Sequence, residues 1–191
     1  MTLIDDKRAL RARMVARRAE LGERQRRTAA ERLVESFRDA KPFDVPGVVT
    51  AFWPINEELD VRPLMHVLAE AGCRLALPVV QGKRQPLQFR AWSPGDELEA
   101  GVFGTFHPFS HRAVLEPDAL LVPLLACDGE GWRLGYGGGF YDRTLAGLRA
   151  RRTVTAVGVG YDEQVVGAVP HGPDDQRLDW LLTDRRACAF V

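Results

Sequence analysis

The sequence predicts an α/β fold in which a mostly parallel sheet is covered on both faces. Three observations carry this reading. Strand-like and helix-like segments alternate along the chain. Two of the strand-like segments, 119–126 (ALLVPLLA) and 153–160 (TVTAVGVG), are apolar throughout, as central parallel strands are. A run of three glycines follows the first of them and opens a helix. No internal repeat, low-complexity tract or linker interrupts the 191 residues, so one domain over residues 1–191 is the economical organisation.

The elements follow in order. Residues 5–21 are rich in Arg, Ala and Leu and favour a first helix, with Leu10, Met14 and Leu21 at near-helical spacing. A second helix is expected over 23–40, where Ala30, Leu33, Val34 and Phe37 form the apolar stripe of a packed helix and Pro42 ends it. Segment 47–53 (GVVTAFW) reads as a buried strand stopped by Pro54, and 56–60 as an acidic loop. Val61, Leu64, Met65 and Leu68 give another helical stripe, closed by Gly72. Strands are expected at 74–80 and 87–92, joined by a turn at 81–85. Over 93–117 periodicity fades while Gly and Pro accumulate, and no element is assigned. After the apolar strand at 119–126, the segment CDGEGWRLGYGGGFYDR leads into a helix reaching about residue 151. The strand at 153–160 comes next, and the tail holds two extended pieces at 180–183 and 187–191.

Composition narrows the function. Apolar residues make up 46% and charged residues 27%, as in an ordinary globular protein. The formal net charge is zero, which argues against a nucleic-acid partner but leaves a small anionic ligand open, since that needs only local cations. Cys73, Cys127 and Cys188 lie far apart, so neither a zinc site nor a disulfide framework is indicated, and isolated thiols fit a reducing cytoplasm. The N-terminus lacks the apolar core of a secretory signal, and no apolar run is long enough to span a bilayer. The expectation is a soluble cytoplasmic monomer acting on small molecules, without a membrane partner.

The most informative segment is RLGYGGGFYDR, residues 133–143. Consecutive glycines remove every Cβ from the bend, so the backbone can approach a ligand and direct several N–H groups at one anion, helped by the positive end of the following helix. The segment is neither GxxxxGK[ST] nor GxGxxG, which sets aside P-loop kinases and ordinary dinucleotide enzymes. Two readings of the bend stand: a tight strand–helix turn without a ligand, or a phosphate cradle. Arg133 before the glycines and Asp142 after them favour the cradle, because arginine neutralises phosphate oxygens and an aspartate there can hold Mg²⁺. The segment Asp128-Gly129-Glu130-Gly131 has an incomplete metal-loop pattern and reads as a turn. His66 reads as structural, and His107, His111 and His171 have no clear partners.

The segment RLGYGGGFYDR resembles the glycine loop of 5-formyltetrahydrofolate cyclo-ligases. The resemblance extends, in the right order, to Lys7 and Arg11, to Trp53-Pro54 with Glu57-Glu58, and to PHGPDDQRLD (170–179) with Thr183, and so covers nearly the whole chain. It implies a three-layer α/β/α fold and an ATP- and Mg²⁺-dependent ring closure of 5-formyltetrahydrofolate to 5,10-methenyltetrahydrofolate. It also assigns roles. Lys7, Arg11, Arg133, Gly135, Gly137, Gly138, Gly139 and Tyr141 are expected to bind ATP, with Arg133 and Asp142 catalytic. Trp53, Glu58, Tyr136 and Phe140 are expected to bind the folate, and Asp142 and Asp179 the Mg²⁺. A one-residue shift would exchange Glu57 for Glu58. The family more often has tyrosine at Phe140 and histidine at Asp174. Apart from the resemblance, Lys7 and Arg11 share a helix face that Arg8, Arg13, Arg17 and Arg18 make equally readable as a solvated basic surface. The implied chemistry puts both nucleophiles on the substrates: the formyl oxygen takes a phosphoryl group from ATP, and N10 then displaces phosphate. The protein supplies position and charge.

Overall fold

The structure is a computed structural model and describes residues 2–45 and 47–190. Its centre is a seven-stranded sheet built from β1 (Val48–Thr50), β2 (Arg74–Val80), β3 (Leu87–Trp92), β6 (Ala119–Pro123), β9 (Thr155–Val159), β10 (Trp180–Leu182) and β11 (Ala187–Ala189). The spatial order is β11-β10-β9-β6-β1-β2-β3. The five inner strands are parallel, and β3 and β11 run antiparallel at the two edges. The expected α/β class with a mostly parallel sheet is observed.

Helices cover both faces. On one, α2 (Glu23–Ala40) and α3 (Arg62–Glu70) bury Leu33, Phe37, Leu64, Met65 and Leu68 against Val49, Leu75, Leu77, Leu121 and Val157. On the other, α4 (Phe140–Arg149) sets Leu145 and Leu148 against Ala76, Leu120, Val122, Ala156 and Leu181. Alternate residues of β6 therefore face opposite layers, which is why this strand reads as apolar without interruption. The first helix, α1 (Leu3–Ala19), joins neither layer. Its Leu10 and Met14 sit on a small antiparallel ribbon of β7 (Ala126–Cys127) and β8 (Arg133–Leu134), against Leu125, Ala126, Leu134 and Val169.

Several boundaries move for local reasons. α1 begins at Leu3 rather than residue 5 because Thr2 and Asp5 form a capping box. The strand expected over 47–53 pairs only at Val48–Thr50. Ala51 to Trp53 run off the sheet edge, with Ala51 and Phe52 buried beyond the paired residues. The strand expected over 119–126 splits, because after Pro123 the chain turns away to form the ribbon with β8. α4 ends at Arg149, two residues early. The unassigned stretch 93–117 holds a short hairpin of β4 (Glu99–Ala100) and β5 (Phe106–His107). Of the last extended piece, Val191 lies outside the described residues.

The connections decide where a ligand fits. The chain enters the sheet at β1, moves outward to β2 and β3, then returns to the other side of β1 with β6 and proceeds to β9, β10 and β11. Chain direction across the sheet thus reverses between β1 and β6, and a crevice opens at the carboxyl ends of the strands there. Among the described residues, no helix is long and apolar enough to cross a membrane.

Leu145 is fully buried and holds α4 on the sheet. Leu145→Ala is expected to lower stability by about 2–5 kcal/mol, read from urea unfolding.

Candidate active site

The crevice is a cavity of about 1030 Å³. Phe52 and Trp53 beyond β1, Pro78 and Val80 at the end of β2, and Pro123 at the end of β6 form its floor. The glycine loop, residues 135–139, forms one wall, and the tip of the β4–β5 hairpin, with Phe103, Thr105 and Phe106, overhangs it. Lys7, Arg11, Arg133, Gly135, Tyr136, Gly137, Gly138, Gly139, Phe140, Tyr141, Asp142, Trp53 and Glu58 all line this cavity.

The glycines are required at specific points. Gly137 has φ of +100°, and a Cβ there would come within 3.3 Å of the Arg11 guanidinium. Gly139 caps α4 with φ of +64° and supplies no side-chain cap, so the first amides of α4 lack a side-chain acceptor. Cations surround the bend. Arg11 Nε donates to Gly135 O at 2.9 Å, and Arg143 Nη2 donates to Gly138 O at 2.6 Å. Lys7 Nζ lies 2.6 and 2.8 Å from the two carboxylate oxygens of Asp175. Arg133 is buried, donates from Nη1 to Asp142 Oδ1 at 2.9 Å, and among the described residues leaves Nε without a partner. The same Asp142 oxygen accepts the Gln176 amide at 3.1 Å, so one carboxylate joins the ribbon, α4 and the loop at 172–176.

The other end of the cavity is aromatic, with one acid. Glu58 is 8% exposed and accepts the Ile55 amide at 2.9 Å. Burial raises its pKa to about 7, against the opposing pull of that amide, the Arg18 charge and the Tyr136 hydroxyl. Glu58 lines the cavity and Glu57 does not. Trp53 packs edge-on to Trp92 at 5.8 Å, with the Arg62 guanidinium 5.4 Å above its ring. Phe140 faces Phe103 across the mouth at 6.3 Å. The Tyr141 hydroxyl is buried without a partner, and burial, with the nearby Glu58 charge, raises its pKa.

Asp179 requires a correction, because the structure does not bring it to the cavity. Its carboxylate accepts Arg149 at the far end of α4 and the Ala156 amide near the start of β9, both at the opposite edge of the sheet. Asp142 and Arg149 are seven residues apart on α4, about 10 Å of helix rise. Asp174 and Asp175, read from sequence only as a charged turn, line the cavity together with Asp142. Arg18 also departs from expectation: on α1 it is buried, unlike exposed Arg8, Arg13 and Arg17. Its position, eleven residues after Lys7 and seven after Arg11, sets all three on one helix stripe, and this was a signal available in the sequence. Arg84, Asn56, Arg143 and Gln176 are further lining residues without a prior assignment. The 128–131 segment is a turn, with Asp128 accepting the amides of Glu130 and Trp132.

The donor set can be tested against Mg²⁺. Asp142 and Asp175 both line the cavity, but among the described residues no group of three or more His, Cys, Asp or Glu could hold a metal. One or two carboxylates completed by phosphate oxygens and water suit Mg²⁺ beside a nucleotide, and the residues fit that arrangement.

Known proteins share the sequence and the fold of this chain. The 5-formyltetrahydrofolate cyclo-ligase family matches residues 3–184. The chain is 36% identical over 146 residues to a 5-formyltetrahydrofolate cyclo-ligase of Mycolicibacterium smegmatis, covering 72% of this chain and 74% of that one. It is 34% identical over 172 residues to that of Escherichia coli K12, covering 87% and 94%. The solution structure of an Aquifex aeolicus 5,10-methenyltetrahydrofolate synthetase superposes with a TM-score of 0.79 at 30% identity, over 96% of this chain and 92% of that one. A Mycoplasma pneumoniae 5,10-methenyltetrahydrofolate synthetase, at 22% identity and a TM-score of 0.75 over 94% and 99%, shares the fold.

Glu58 makes stability depend on pH. Its folded pKa of about 7 lies above the ordinary carboxylate value, so the folded state binds more protons and loses stability as pH rises from about 4.5 to 7. Glu58→Gln is expected to gain stability on wild type over that window, by at most about 3 kcal/mol, read by denaturant unfolding at pH 5 and pH 8.

Proposed function

The chain is an enzyme of the 5-formyltetrahydrofolate cyclo-ligase family, and on that premise we propose that it uses ATP to close 5-formyltetrahydrofolate to 5,10-methenyltetrahydrofolate, releasing ADP and phosphate. The observation that carries the proposal is the division of one cavity into two chemically distinct ends. One has side-chain-free backbone, the open N-terminus of α4 and several cations. The other has aromatic faces and a buried carboxylate.

The cationic end suits a triphosphate. Lys7, Arg11, Arg133 and the amides of Gly137 to Gly139 would hold phosphate oxygens. Lys7 now engages Asp175 and Arg11 engages a loop carbonyl, so both can exchange these contacts for phosphate without moving far. Asp142 and Asp175 would hold Mg²⁺, which when bound neutralises charge on the phosphates. At the other end Glu58 would accept hydrogen bonds from the donor edge of the pterin, between the flat faces of Trp53, Tyr136 and Phe140.

The formyl oxygen then attacks the terminal phosphorus and the bond to ADP breaks. N10 adds to the activated formyl carbon, loses its proton, and phosphate leaves with the former formyl oxygen. No protein nucleophile takes part, so the residues act by aligning the two substrates, neutralising charge and excluding water. Three unpaired thiols accord with a reducing cytoplasm.

Protein mixed with 5-formyltetrahydrofolate, Mg²⁺ and ATP should develop the methenyl chromophore, in step with ADP release and not without ATP. Asp142→Asn and Asp175→Asn are each expected to lose about 100-fold or more in turnover. Asp179→Asn, outside the cavity, should stay within about two-fold. Equal losses in all three would remove the cavity assignment.

A further inference from the structure

We propose that Arg84, in the turn between β2 and β3, is a specificity-determining residue that binds the carboxylates at the glutamate end of the folate substrate. This rests on the reading of the cavity as a folate site and deepens it, naming the residue that recognises the end of the substrate remote from the reaction.

The fold fixes where Arg84 stands. Val80 and Leu87 are the last pair of the β2–β3 hairpin, and residues 81–86 bridge them as a mostly exposed turn. The Leu87 amide donates to Thr144 Oγ1 at 2.8 Å, which seats the turn against α4 one helical turn after Phe140. Val80, Arg84, Leu87 and Phe140 all line the cavity. Phe140 and Thr144 share one side of α4, and Asp142 lies about 160° round the helix from both. Asp142 faces Arg133 and the loop at 172–176, where Lys7 meets Asp175. Arg84 therefore approaches the first turn of α4 from the side opposite the proposed metal and phosphate residues.

Its charge is uncommitted. Of the other lining cations, Lys7 and Arg133 pair with carboxylates, and Arg11 and Arg143 donate to loop carbonyls. Among the described residues Arg84 has no ion pair and no hydrogen bond. Its backbone is left-handed, with φ of +63°, a conformation that glycine takes at no steric cost and arginine does not. The turn thus carries an arginine where folding alone favours glycine, and that arginine faces a cavity. Substrate chemistry supplies the anion. The glycine bend already answers the phosphates of ATP, whereas the folate ends in a glutamate with two carboxylates. With the pterin beside buried Glu58, the rest of the molecule leaves past the mouth, where Phe140 faces Phe103. Arg84 stands on the Phe140 side of that exit, and a guanidinium fork matches a carboxylate with two parallel hydrogen bonds.

The test is equilibrium binding, without ATP, of 5-formyltetrahydrofolate and of the same compound lacking its glutamate, 5-formyltetrahydropteroate. Wild type should hold the full substrate about 10-fold more tightly than the truncated one. Arg84→Gln should lose about 10-fold on the full substrate and less than about two-fold on the truncated one, so that it no longer tells them apart. Its KM for ATP should stay within about two-fold of wild type. Arg84→Gly, which suits the left-handed backbone, should show the same pattern, so a fault in folding is not what is read. Equal losses on both compounds, no loss on either, or a raised KM for ATP with folate binding intact overturns the proposal for Arg84. Should wild type bind neither compound, the reading of the cavity as a folate site falls first, and Arg84 with it.

Discussion

The site depends on one carboxylate oxygen. Asp142 Oδ1 accepts both Arg133 from the ribbon and the Gln176 amide from the loop at 172–176, while its own backbone forms the first turn of α4. Three segments are thereby fixed around the N-terminus of one helix. Removing either partner would leave a buried charge uncompensated, which costs far more than the pair contributes when intact. Arg133 is held without being satisfied, since its Nε stays open. An incompletely partnered cation beside exposed helix amides is what an incoming anion would complete.

α1 connects the two ends of the cavity. It stands apart from the helical layers on either face of the sheet, with Leu10 and Met14 seated on the β7–β8 ribbon. With its apolar side turned to the ribbon, the same stripe carries Lys7 and Arg11 at the glycine bend and Arg18 behind Tyr136. One rigid helix spans the distance from the proposed phosphate end to the proposed folate end. Because Arg11 bonds the loop carbonyl at Gly135 and Arg18 bonds the next side chain along, α1 grips the glycine loop from both sides. A displacement of α1 would reach both substrates together.

Most of the fold was legible because its signals are local. The stripe from Ala30 to Phe37, the alternation of strand and helix, and the apolar runs at β6 and β9 each follow from burial on one face or both. The glycine loop was legible because only a ligand or a tight turn explains so many adjacent residues without Cβ. What escaped was set by tertiary geometry. Asp175 and Asp179 lie in the same acidic stretch, and spacing alone does not say which one the chain turns towards the cavity. Asp179 continues into β10 and is captured by Arg149 and the Ala156 amide. Asp175 is retained on the other side of the turn by Lys7 and the Gly172 amide. Arg18 escaped because an arginine among arginines reads as solvent-exposed, whereas its place on the stripe of Lys7 and Arg11 gave its direction. The 93–117 hairpin escaped because its aromatics, Phe103 and Phe106, are exposed at a cavity mouth and so follow no burial period.

The charge distribution explains how a neutral chain can serve a polyanion. Among the described residues, the cavity is lined by the cations Lys7, Arg11, Arg84, Arg133 and Arg143 and by the carboxylates Glu58, Asp142, Asp174 and Asp175. These nearly cancel, so the lining has no large field to hold against its own folding. Glu58 lies with the aromatics, while Arg11, Arg133 and Arg143 gather at the glycine bend. At that bend the amides of α4 add to the positive potential. Asp142 and Asp175 sit within the cationic cluster and mask part of it. On the proposed reading Asp142 and Asp175 would hold a divalent ion that supplies positive charge, and Lys7, no longer paired with Asp175, would face the phosphates. Binding of metal and nucleotide would then be mutually reinforcing, because each removes the contact that opposes the other.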